Sequence, residues 1–252
     1  MNPASRLNEI VQHFHSANPS TSIKEAWDAY MGSTATPMSE EELLDVIQAV
    51  LAEIRAMEAR LKELAIPSHL YADCIRQLRI AFSPTQHAGS WSNHREQIIK
   101  RATPLSLQWT AWALSQFDED DIAAESIEAL KSALVEQETL LQESNLPAGL
   151  REMLERQTAA LRRALHLYKI QGVAPLRKAV SDSVGEMKTA PAELVATVES
   201  AAPEAKNALK RGMTLIGKAA EVADKGSKTI KFGKELYELG TSAWTTVQGL
   251  LT

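Results

Sequence analysis

Between Leu43 and Leu64 the apolar residues Leu43, Ile47, Val50, Ile54, Met57, Leu61 and Leu64 follow one another in alternating steps of four and three. That spacing is an unbroken a/d seam over three heptads, the pattern of a helix that buries one side against a neighbour. Leu44 and Leu51 widen the stripe, and Glu53, Arg55, Arg60 and Lys62 fall off the seam. Ser39 and Glu42 stand three apart before it as a capping box, each side chain serving the other's backbone N–H. Pro67 ends the helix, because proline has no N–H for the next backbone bond. Such a segment needs helical partners, and the composition supplies them: 37 Ala and 29 Leu against 5% aromatics. An all-β fold is disfavoured and an all-α one expected.

The flanking sequence reads the same way. Leu7, Ile10, Val11 and Phe14 form one short amphipathic face. Ile23, Ala26, Trp27 and Tyr30 form a second, behind a Ser22/Glu25 capping box. After Pro67, Leu70, Cys74, Ile75, Leu78 and Phe82 predict a shorter helix that folds back. Residues 83–93 lack any period and read as a loop. Thr103-Pro104 then opens a Trp-rich helix. The acidic run Asp118-Glu119-Asp120-Asp121 precedes a long helix marked by Ile127, Leu130, Leu134 and Leu141, with Gln137 and Ser144 interrupting its seam. Pro147 begins another with Leu150, Leu154, Leu161, Leu165 and Tyr168, and Gly172 is the expected C-terminal cap. A further helix starts near Pro175. Shifting the chain by 80 residues pairs Ile47 with Ile127, Leu61 with Leu141, Pro67 with Pro147, Leu70 with Leu150 and Gln77 with Gln157. Two alternatives account for this: a duplicated helix–Pro–helix unit, or two unrelated hairpins drawn from one residue alphabet.

The expected architecture is thus an antiparallel helical bundle over 1–188, a Pro-rich joint at 189–203 and a basic, amphipathic, Gly-rich tail helix or hairpin over 204–252. No catalytic residue, metal ligand or cofactor is expected. His13 and His15, two apart on a helix, point to nearly opposite sides. Glu-x-x-His, His-Glu-x-x-His, GxxxxGK[ST], GxGxxG and G-x-S-x-G are all missing from the sequence. The acidic run lacks the further spaced oxygens and turn glycine of a Ca²⁺ loop, so its expected role is to complement a helix N-terminus. The single cysteine, Cys74, excludes an intramolecular disulfide and reads as core filler. With no apolar run of transmembrane length and no signal-peptide core in the first 30 residues, a cytoplasmic protein is expected. Trp109 and Trp112, three apart, share a helical face: core packing is their default role and a partner pocket the functional alternative.

The tail is the unusual segment. Six of the eleven glycines lie beyond residue 200. Residues 1–185 carry a net charge of −6, whereas Pro203 to Lys234 carries +5. Leu209, Ile216, Ile230, Tyr237, Trp244 and Leu251 lie on a seven-residue repeat as an apolar face. Gly212, Ala219, Gly226, Gly233 and Gly240 form a parallel column of small residues. Each glycine costs a helix about 1 kcal/mol, so the column predicts close backbone approach to another surface. Continuous, the tail would be about 70 Å long, with breaks near Gly226 or Gly233 as the alternative.

Three roles compete for it. In the first, the tail packs on its own bundle, on a second copy or on a protein partner, making a non-catalytic interaction protein. In the second, Lys210, Arg211, Lys218, Lys225, Lys228, Lys231 and Lys234 face anionic lipid, placing an effector that perturbs the bilayer at the periphery of the inner membrane. In the third, it binds nucleic acid, which one aromatic in the basic stretch makes the weakest of the three. An enzyme assembled from isolated residues is a further class.

The stretch from Leu146 to Glu186, with its skeleton Leu146-Pro147, Leu150-Arg151, Gln157, Ala164-Leu165, Tyr168, Ile170-x-Gly172 and Leu176-Arg177, resembles a segment of uncharacterised bacterial helical proteins. It covers about a sixth of the chain. The resemblance implies a bacterial, intracellular setting and brings no activity with it.

Overall fold

The computed structural model describes residues 1–33, 35–86, 102–120, 122–188 and 203–226. It is an all-α, multi-helix bundle with no β-strand among the described residues. The chain divides into two compact units. The first comprises 1–118 together with 169–171, the second 119–168 together with 172–252. The division between Asp118 and Glu119 falls inside the 1–188 stretch, and the first half of the tail belongs to the second unit. Residues 189–202 of the joint lie outside the described residues.

The first unit holds α1 (Pro3–Ser16), α2 (Ile23–Met31), α3 (Glu40–Glu63), α4 (Ala72–Ala81) and α5 (Ala102–Ala113). Both capping boxes form: Ser22 with Glu25 at α2 and Ser39 with Glu42 at α3. Gly32 closes α2 in the left-handed region at φ 78°, where a side chain would be strained. On α3 the seam residues Leu43, Ile47, Val50, Ile54, Met57 and Leu61 are buried. The stripe widens through Val46, Ala49 and Glu53, whereas Leu44 is exposed. Glu53 is therefore inside the seam, and Arg6 of α1 explains why: its Nε and Nη2 lie 2.6 and 2.5 Å from Glu53 Oε1. A charge can be buried there because its counter-ion is delivered in hydrogen-bonding geometry. An aromatic group of Phe14, Trp27, Tyr30 and Phe82 packs edge to face beneath α1 and α2, with Phe14 and Trp27 centroids 4.6 Å apart.

The second unit holds α6 (Ala124–Glu143), α7 (Ala148–Gln171) up to Tyr168, α8 (Ala174–Lys188) and α9 (Pro203–Lys225). Arg151 at the start of α7 donates to the Leu141 and Ser144 carbonyls at the end of α6, and Arg162 further along pairs with Glu138 further back. Contacts that spread outward from the Pro147 joint make α6 and α7 an antiparallel hairpin. Gly172, at φ 62°, turns the chain into α8, and Arg156 and Gln157 of α7 reach Glu186 of α8. Helix α6 opens without a side-chain cap. Of the acidic run, Asp118 accepts from Asn2 Nδ2 at 2.9 Å, and Glu119 Oε2 accepts from the Val173 N–H at the head of α8.

Candidate functional site

The tail helix α9 presents its apolar face to its own unit. Leu215, Ile216, Ala219, Val222 and Ala223 join Leu130, Leu134, Leu161, Leu176 and Val180 in one core. Ala205, Ala208 and Leu209 join Leu141, Leu146, Leu150 and Leu154 in a second. The small-residue column has a measurable purpose. A Cβ on Gly212 would stand 2.7 Å from Leu154 Cδ2, and one on Gly226 would collide with Val173 Cγ1 and stand 3.2 Å from Ile122 Cδ1. Gly217, off the column, faces open space. Gln137, which breaks the α6 seam, is buried against the same helix, its Nε2 3.5 Å from the Ala208 carbonyl. Lys210, Arg211, Lys218 and Lys225 are exposed. Ile230, Tyr237, Trp244, Leu251, Gly233, Gly240, Lys228, Lys231 and Lys234 lie outside the described residues.

The tryptophans differ from their default role. Helix α5 buries Thr103, Leu107 and Thr110, with Leu114 just beyond it, while Leu105, Trp109 and Trp112 are 64%, 39% and 74% exposed. Trp109 and Trp112 do share a face, but each stands two positions from a buried residue, Leu107 and Thr110, about 200° around the helix. The core therefore takes the threonine and leucine side. Leu105, Trp109 and Trp112 stand at i, i+4 and i+7 on a helix without a charged residue, a stripe that is exposed, most fully at Leu105 and Trp112.

A third feature of the first unit is an open cleft of 820 Å³ between the second half of α3 and α4. Tyr71, Ile75 and Ile80 supply its apolar wall, and Glu58, Lys62, Arg76 and Arg79 its charges. Glu58 bridges two cations, with Lys62 Nζ at 2.8 Å and Arg79 Nη2 at 2.6 Å. Those partners, Lys62 first, hold its carboxyl below the ordinary value despite partial burial.

Burial, aided by the Asp73 charge, pushes the Cys74 thiol up to about 12 and keeps it protonated at neutral pH. Burial likewise raises the Tyr30 phenol. His13 is half-buried with Nε2 3.1 Å from the Ala26 carbonyl, and His15 is exposed. Among the described residues no three His, Cys, Asp or Glu side chains are grouped to hold a metal ion, and no helix is long and apolar enough to cross a membrane. In comparisons with known proteins, no family model, no curated protein and no solved structure matches the chain.

Proposed function

We propose that this is a non-catalytic helical interaction protein, and that α5 carries its docking face. The observation that carries the reading is the uncharged stripe of Leu105, Trp109 and Trp112, exposed on a helix whose opposite side already fills the core. Tryptophans are the most enriched anchors of protein interfaces, because a large rigid apolar area is covered at little entropic cost. Three anchors at i, i+4 and i+7 suit an apolar groove or helix on the partner. Docking by the tail is retained only for residues 227–252, since α9 spends its apolar face within its own unit. The burial of Leu209 and Ile216 weighs against the membrane reading of α9, because an interfacial helix must offer that face to lipid.

The test places the photocrosslinker benzoylphenylalanine at position 112 of the full chain in its native cell, with exposed Lys131 as the control position. Protein adducts at 112, missing at 131 and abolished by Leu105→Asp, support docking; their mass separates a second copy of the chain from a different partner. No adduct at 112, or the same adducts at both positions, overturns the reading.

A further inference from the structure

Independently of the α5 face, we infer that the α3–α4 cleft binds an apolar carboxylate, with the hydrocarbon on Ile80 and the carboxylate on Arg79 and Lys62. Its volume, 820 Å³, lies in the range of small-molecule sites, which pair an apolar lining with a few placed polar groups. Tyr71 and Ile75, each 4% exposed, form the buried backing of the cleft, whereas Ile80 is 39% exposed and offers the apolar surface to cover.

Charge sets the sign of the ligand. The lining carries Lys62, Arg76 and Arg79 against Glu58 alone, a local net of +2 on a chain whose total is −5. Glu58 is shared between Lys62 and Arg79, and it sits as their common tether. An ammonium has three donors and a guanidinium five, so one carboxylate leaves both cations with donors to spare. Arg76 is drawn toward Asp73, which does not line the cleft. A second carboxylate entering beside Glu58 thus meets two cations already held in place, and desolvation by its own hydrocarbon strengthens the contact.

Octanoate titrated into the full-length protein and followed by backbone amide NMR tests this, with methyl octanoate as the uncharged match. Saturable octanoate binding is expected, with shifts centred on residues 58–83 and much weaker response to the ester. Arg79→Gln should weaken binding about tenfold, the loss of one charge-assisted hydrogen bond. Ile80→Ser should weaken it through the hydrocarbon. Absence of saturable binding, equal binding of the ester, or an Arg79→Gln variant as tight as the parent overturns the inference. Circular dichroism of each variant separates lost binding from lost fold.

Discussion

Ala65 holds φ at 53°, a left-handed backbone that disfavours every residue with a Cβ. It does so because α3 ends there in a Schellman turn: the Ile66 N–H reaches the Leu61 carbonyl and the Ala65 N–H that of Lys62, at 3.0 and 2.9 Å. The helix ends at Glu63, four positions before Pro67, so proline follows the turn and the turn itself ends the helix. Ala65 is exposed, and nothing else opposes a change there. Ala65→Gly is expected to stabilise the full chain by about 1 kcal/mol, read as a higher urea midpoint at unchanged slope. At this scale the legible features were those whose chemistry closes within four residues. Both capping boxes and the Gly172 turn belong there, because Ser22, Ser39 and Gly172 act on backbone groups next to them. Glu53 was not legible. Its burial depends on Arg6, 47 positions away, and a helical wheel of α3 alone puts a glutamate outside.

For whole elements, periodicity identified helices well and their inward sides less well. The seam of α3 is narrow enough for one answer. Helix α5 is apolar on two sides, and only the neighbours that cover Leu107 and Leu114 decide that Trp109 and Trp112 stay outside. Column spacing in α9 was informative because glycine pays for itself only where something approaches closely. The neighbouring glycines of that helix supply an internal control. Gly217→Ala puts a methyl into open space and should gain roughly the 1 kcal/mol that separates the two residues in a helix. Gly212→Ala makes the same gain but drives a methyl into Leu154. Overpacking costs about 1–3 kcal/mol, so a net loss of about 1 kcal/mol is expected. Thermal melts of the two variants should move in opposite directions. A matching rise in both would mean that the column does not mark close approach.

For the whole molecule, the offset of 80 residues aligns two segments that the chain uses differently. Leu61 and Leu141 are both buried, as are Gln77 and Gln157, yet Leu70 is 50% exposed where Leu150 is covered. The reason lies after the proline: Pro67 leads into a three-residue 3₁₀ turn and a 10-residue helix, Pro147 directly into the 24 residues of α7. Residue identity across the offset therefore does not carry equal surroundings with it. The same limit applies to dividing the chain by composition. The basic character of α9 is a property of its solvent side, whereas its membership of a folded unit follows from its apolar and glycine-bearing side. Leu209, Leu215, Ile216 and Val222 are all within 6% of complete burial, and burying each is worth about 1.5–3 kcal/mol. Together they amount to roughly the entire stability of a small domain. A chain ending at Met187 should consequently lose its second unit as a folded body: circular dichroism should fall by more than the 23 residues of α9, and limited proteolysis should cut within α6 and α7. A chain ending at Gly226 keeps every one of these contacts and should keep the helicity of α6 to α9. If the shorter chain loses only the signal of α9 and resists protease as the longer one does, α9 is an appendage, and the role of its glycine column as an internal seam falls with that result.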